Sequence, residues 1–316
     1  MKPASLLDHL FAPPAPVLAT GEDIGGFLRQ WGPGAASEDD PSAFVRLVRT
    51  ALHAGDRLCA GAAGHQAAIR RLFPQTPQAA VTAICISEDQ GPRPSAIHTR
   101  LTSSGGGFVL NGSKKWGSMA PLADLLYVAA SIGERDGRNQ LRMVRVLANS
   151  PGLVLDPAPY AAYQGHMPIA DLTLADLRVS AEAVLPQDAY VAFIKPFRLV
   201  EDVYGTAATQ IAVLSLGRMH GWPHDVLEDL TGLIVQAHAI STTPMDRPAD
   251  LVLMSAYFRA SEALWSRLGP CWEQVPEAVR RAWRPEVGTL GVAARARESR
   301  RQSAWAALGY TNLREF

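Results

Sequence analysis

Residues 107–128 read GFVLNGSKKWGSMAPLADLLYV. Gly107–Leu110 has the look of a strand end. Asn111-Gly112 follows, and both residues tolerate the positive φ of a two-residue hairpin, so a tight turn is expected there. Lys114-Lys115-Trp116-Gly117-Ser118 comes next, then a short loop and the apolar strand candidate LLYVAASI from Leu125. Upstream, VTAICISE (81–88) is a β-branched run with strand propensity. IHTRLTS (97–103) precedes GFVLNG, and Ser104-Gly105-Gly106 forms the turn between them. Gly105-Gly106-Gly107 lacks the Lys-Ser/Thr and helix of a phosphate cradle, so it reads as a hairpin loop. Downstream, LRMVRVLA (141–148), GLVLD (152–156) and IADLTLADLRVS (169–180) continue the series. Short strands at this spacing predict a β-sandwich or barrel.

On both sides the periodicity changes to helical. Asp40 can cap a helix whose first position is Pro41. Phe44, Val45, Val48, Ala51, Leu52, Gly55, Leu58, Cys59 and Ala62 form one apolar stripe. A second helical piece runs through His65, Ile69, Leu72 and Phe73 to Pro74, and PQTPQ closes this part as a linker. Past Leu185, Val200 to Leu214 mark another helix, with one more between Pro223 and Ile240. ADLVLMSAYFRASEALWSRLGP ends on the stop signal Gly269-Pro270, and a basic helix follows from about Glu286 to Leu308. The expected class is α+β: an N-terminal helical domain (1–79), a central β-sandwich or barrel domain (80–185) and a C-terminal helical bundle (186–316).

Composition narrows the function. The chain has 316 residues, 47% of them hydrophobic, which excludes a disordered protein. Thirty basic residues balance thirty acidic ones, so the basic surplus of a nucleic-acid binder is missing. Cys59, Cys85 and Cys271 lie far apart and form no CxxC pair; they fit a reducing compartment, and Cys85 reads as an inert core thiol. No signal peptide and no membrane-spanning run is seen, so a cytoplasmic protein without a membrane partner is expected. His220 and His224 have helical ligand spacing, but Gly221 and Pro223 break the helix that such a site requires, and no metal is expected. RARESRR (295–301) reads first as a solvated helix face, and alternatively as a phosphate holder.

Three segments together resemble a known family. Ile84-Cys85-Ile86-Ser87-Glu88 is similar to a segment ending in Thr-Glu-Pro, and VLNGSKKWGS (109–118), followed by Ala123-Asp124, to a strand, Asn-Gly turn, lysine and Trp-Ile-Thr. LTLADLRVSAEAVLP (172–186) is similar to the strand and exit that close the same β-domain. These are marks of acyl-CoA dehydrogenases, and the resemblance covers roughly a third of the chain, one domain's worth. It implies FAD, an acyl-CoA or similar thioester, and assembly as a homo- or hetero-oligomer. It further implies that Trp116 lies against the flavin ring and that Ser118, after Gly117, offers its hydroxyl to the ring's reactive nitrogen. Ser87 and the backbone of Ile86 are then expected at the pyrimidine edge.

The departures set out the alternatives. Glu88-Asp89 replaces Glu-Pro, and GPRPSA replaces the usual Gly-Ser-Asp. The family's Arg-Phe-Gly…Gln motif is not seen after Leu216, and the C-terminal segment that carries the base in most members has no counterpart. Other members place the base on the first helix after the β-domain, here KPFRLVEDVYG (195–205). Aligning Arg198 puts Phe197 at the base position, and Glu201, one turn on, is the candidate base. Asp202 points about 100° away and is expected to be dispensable. The expected activity is α,β-dehydrogenation of an acyl-CoA thioester. The alternative is a non-catalytic subunit on the same fold, and a third reading is a flavin monooxygenase.

Overall fold

The computed structural model describes residues 6–11, 20–32, 42–161, 167–283 and 290–310. The expected cap at Asp40-Pro41 and the start at Glu286 lie outside them. The chain forms two compact units: one holds Asp23–Ala36 and His65–Arg198, the other Met1–Glu22, Ser37–Gly64 and Leu199–Phe316.

The first of these units is built on one seven-stranded sheet. Its strands are β1 (Thr82–Cys85), β2 (Arg100–Ser104), β3 (Gly107–Ser118), β4 (Leu125–Arg135), β5 (Arg138–Leu147), β6 (Leu153–Asp156) and β7 (Ile169–Ser180). The path runs β1-β4-β2-β3-β7-β6, with β5 on β4. β1 lies parallel to the first half of β4, and β2 meets β4 further along at Ser131. One core takes Ala83 and Cys85 of β1, Leu126, Val128 and Ala130 of β4, and Ala170, Leu172 and Leu174 of β7. Strands distant along the sheet thus turn alternate side chains onto a shared interior, so the sheet curls over its own core.

The seven strands fall on the seven expected segments, but one turn does not. Asn111-Gly112 makes no hairpin: β3 runs on through it, paired with β2 on one edge and β7 on the other. The glycine answers to a close crossing instead. Gly112 has φ +146°, and a Cβ there would sit 2.6 Å from Thr99 Cα. The Asn111 carboxamide bonds Asp176, its Oδ1 accepting from the Asp176 amide at 2.8 Å. The actual β2–β3 hairpin turns on Gly105 (φ +55°) and Gly106 (φ +86°), both left-handed.

PQTPQ is more than a linker. Arg70 donates to the carbonyls of Pro77, Gln78 and Ala80, and Gln66 bonds both the amide and the carbonyl of Thr82. The entry to β1 is thereby held by the C-terminal turns of the helix before it, which buries backbone groups only with partners.

The helices are α1 (Leu6–Leu10), α2 (Ile24–Trp31), α3 (Ala43–Ala51), α4 (Arg57–Leu72), α5 (Lys195–Met219), α6 (His224–Ser241), α7 (Pro248–Arg267), α8 (Gly269–Glu273), α9 (Glu277–Trp283) and α10 (Leu290–Ala307). The apolar stripe expected to be one helix from Phe44 to Ala62 is broken between Leu52 and Asp56. Asp56 restarts it as an N-cap, its Oδ1 accepting from the Cys59 amide at 2.8 Å, and α4 then runs unbroken to Leu72. Gly269-Pro270 ends α7 and at once begins α8, where a proline in the first turn loses no helical bond.

In the second unit, α4 and α5 approach so closely at Gly64 that a Cβ there would lie 2.8 Å from Gly205 Cα. Buried Gln210 of α5 donates to Ser261 of α7 at 2.8 Å and accepts from the Tyr257 hydroxyl at 2.7 Å. The polar groups at the centre of the bundle are paired with one another, as burial requires.

Candidate functional site

The two segments that carry the resemblance meet in space. Lys114, fully buried on β3, places its ammonium 2.6 Å from Glu88 Oε1 and 3.3 Å from the Ile86 carbonyl. Glu88 also accepts from the Thr99 hydroxyl (2.8 Å) and from the Thr99 and His98 amides (3.0 and 2.8 Å). Burial alone would raise the Glu88 carboxyl; Lys114 and these donors outweigh it and hold it below the ordinary carboxylate range. Burial pulls Lys114 down, with Glu88 opposing. One residue on, the Lys115 amide donates to the Ser87 carbonyl at 2.8 Å. Ile86-Ser87 and Lys114-Lys115 are therefore fastened side by side.

A β-bulge then re-aims the chain. Lys114 pairs with Leu172 and Gly117 with Ala170, so Lys115 and Trp116 together oppose the single residue Asp171. Trp116 takes φ +58°, a strained conformation for so large a side chain, and its ring stands 52% exposed. A polar relay holds it. The Trp116 amide donates to the Tyr160 hydroxyl (3.0 Å), which donates to Asp171 Oδ1 (2.6 Å), while the Lys115 ammonium bonds Asp171 Oδ2 (2.7 Å). The Tyr160 ring also packs against the indole, centroids 4.7 Å apart. Burial would raise the Asp171 carboxyl, but Lys115, Tyr160 and the Trp116 amide keep it below its usual range, and Asp171 in turn raises Lys115.

Gly117 is a packing glycine: a Cβ on it would meet the Ala170 carbonyl at 2.9 Å and Leu172 Cδ1 at 2.8 Å. The hydroxyls of Ser87 and Ser118 are half-buried and have no hydrogen-bond partner among the described residues. An exposed indole with two uncommitted hydroxyls near it can give a planar, polar-edged ligand a wall and hydrogen bonds. That donor set fits a flavin. Cys85 beneath is inert, burial pushing its thiol up to about 12 against the pull of Lys114.

Glu201 sits half-buried on α5, in the unit without the sheet. Its neighbour Asp202 is tied into the helical unit. Its carboxylate accepts from Arg300 of α10 at 2.9 Å and lies 3.7 Å from Arg297. RARESRR accordingly is no freely solvated face. Arg297 also covers the Phe258 ring of α7 at 4.0 Å, and Arg301 bonds Glu298 at 2.7 Å. These arginines tie α10 to α5 and α7. His220 and His224 lie on either side of Gly221, whose φ of +65° ends α5. Among the described residues no cluster of His, Cys, Asp or Glu is placed to hold a metal, and no helix is long and apolar enough to cross a membrane.

Tyr160 and Asp171 were not singled out from the sequence. Tyr160 lies in the aperiodic run DPAPY, and Asp171 is one polar residue of an alternating strand. Only the register across the bulge shows that they face Trp116.

No family model and no curated protein matches the sequence. Solved structures do match. Butyryl-CoA dehydrogenase from Megasphaera elsdenii is 14% identical over 93% of this chain and 89% of that one, with a TM-score of 0.54. PigA, in an FAD complex, is 12% identical over 94% and 91%, with a TM-score of 0.58. KijD3, in complex with FMN and a dTDP-linked amino-keto sugar, is 14% identical over 97% of each chain, with a TM-score of 0.54. The chain has the acyl-CoA dehydrogenase fold, mixing helices with a curled sheet, which fits a divergent form of it.

Proposed function

We propose that this protein is a flavin-dependent oxidoreductase of the acyl-CoA dehydrogenase kind, holding FAD against Trp116 and removing two hydrogens from an acyl-CoA thioester. The observation that carries the cofactor half is the bulge at Lys115-Trp116, which presents the indole beside Ser118 and the fastened Ile86-Ser87 segment. Trp116 is the apolar wall that excludes water from one face of the ring. Ser118 donates its hydroxyl to the ring's reactive nitrogen, and Ser87 with the Ile86 backbone serves the pyrimidine edge. The flavin supplies the two-electron acceptor, and the chain supplies position and hydrogen bonds. The neighbours' names support this reading: one carries FAD, and one is a dehydrogenase of an acyl-CoA.

For the substrate half, Glu201 would serve as the base for the α-proton of the thioester, and a bound flavin would supply the acceptor for the β-hydride. The protein is further proposed to work as an oligomer in the cytoplasm. Anaerobic addition of butyryl-CoA or octanoyl-CoA to the FAD-loaded protein tests the assignment. Bleaching of the visible flavin band by one of them, lost in Glu201→Gln, is the expected result. Full bleaching by Glu201→Gln would refute Glu201 as the base. A flavoprotein that neither thioester bleaches would remove the substrate assignment and leave the cofactor standing. A protein that takes up no FAD would leave the non-catalytic subunit.

A further inference from the structure

The unit built on the sheet contains a cavity lined by none of the residues placed around the flavin. Three aromatic rings stack at its base: Phe73 lies between Tyr127 (centroids 3.8 Å apart, planes 14° apart) and Phe193 (4.6 Å, 18°). With Leu185 and Arg145 these rings line a cavity of about 300 Å³. Its rings are buried and its mouth carries Gln75 and Gln187. A volume at the low end of small-molecule pockets suits a single ring with a short arm.

Arg145 supplies the chemistry. It projects from β5 and donates one terminal N–H to the Glu182 carbonyl at 2.6 Å. Its buried Nε has no hydrogen-bond partner, and no carboxylate among the described residues pairs with it. The other nearby cation, Arg70, commits its Nη2 to backbone carbonyls and its Nη1 to Gln66, and the Tyr127 hydroxyl is paired with Thr76 at 2.8 Å. Burial raises the Tyr127 phenol, while Thr76, Arg145 and Arg70 pull it back. The Arg145 Nε is closed to any ligand, but the second terminal nitrogen makes no hydrogen bond among the described residues, and terminal N–H groups left to spare suit a planar anion. Flat aromatic walls favour a flat ring over an aliphatic chain.

We propose that this cavity binds a small aromatic carboxylate, its ring against the Phe73–Tyr127–Phe193 stack and its carboxylate on Arg145. The inference is independent of the flavin assignment, since the two sets of residues do not overlap.

Fluorine NMR of 4-fluorobenzoate with the whole protein tests it, with 4-fluorobenzamide as the neutral isostere. Saturable binding of the acid, at least tenfold tighter than the amide, is expected in the wild type. Arg145→Gln should lose that preference, and Leu185→Trp should abolish binding by filling the cavity. Arg135→Gln, an 82% exposed arginine on β4, should bind as the wild type does. Equal binding of acid and amide, no saturable binding of the acid, or wild-type affinity in Arg145→Gln would each overturn the proposal. The wild-type comparison of acid with amide needs no variant and decides the matter even where a substitution prevents folding.

Discussion

The Lys114 ammonium and the Glu88 carboxylate form a buried pair 2.6 Å apart, joining the segment after β1 to the strand that carries Trp116. Removing one partner strands the other charge in the interior, which costs about 3–5 kcal/mol. Lys114→Met and Glu88→Gln are each expected to lower the thermal midpoint strongly. The double variant should recover part of the loss, because no unpaired charge remains. Denaturant melts of the three proteins check this.

The same pair sets an acid limit. Glu88 is held below the ordinary carboxylate range, so its contribution is complete above that range and is lost as falling pH protonates it in the fold. Asp171 is lowered likewise and adds in the same direction. Stability measured from neutral pH downward should fall on the acid side, and Glu88→Gln should flatten the slope. An unchanged slope in that variant would remove Glu88 as a source.

Tyr160 positions Trp116 without standing among the residues proposed to touch the cofactor. Tyr160→Phe removes the acceptor of the Trp116 amide and keeps the ring contact. It is expected to cost about 1 kcal/mol of stability and to weaken FAD retention. Trp116→Gly should separate the two roles. Glycine accepts φ +58° freely, so relief of strain worth about 1–3 kcal/mol offsets the lost packing. That variant should melt near the wild type and hold no flavin.

Gly112→Ala and Gly105→Ala test the two glycine roles against each other. At Gly112 the added Cβ meets Thr99 backbone, and about 3 kcal/mol or more is expected to be lost. At Gly105 the new methyl points into open space, so only the left-handed penalty of about 1 kcal/mol applies. Similar melts for both would show that the close crossing at Thr99 is not real.

Asp202→Ala should lower stability by about 1 kcal/mol, the scale of a partly exposed ion pair, because it strips Arg300 of its partner. An unchanged melting temperature would show that α10 is not held through this contact.

These examples show where the sequence speaks and where it stops. β-branched runs and their spacing located every strand, since alternation is a local property that burial enforces along each one. Asn111-Gly112 misled because a hairpin and a strand bulge ask for the same backbone freedom. What separates them is Thr99, thirteen residues upstream of Gly112 and visible only in the fold. The break at Asp56 was hidden because apolar spacing happens to continue across it, while the capping bond to Cys59 announces nothing by period. For Asp202, the angle between adjacent helical residues tells that it leaves Glu201's face, and nothing about α10 waiting on its own. Glu88 and Lys114 both lie in the segments that carry the resemblance, but their pairing, like that of Tyr160 with Trp116, follows from register.

The most direct test is the visible absorption spectrum of the purified protein after incubation with FAD and removal of the excess. A bound flavin band in the wild type, absent or much reduced in Trp116→Ala, is the predicted result. A wild-type protein that remains colourless, or a band as strong in Trp116→Ala as in the wild type, would contradict it.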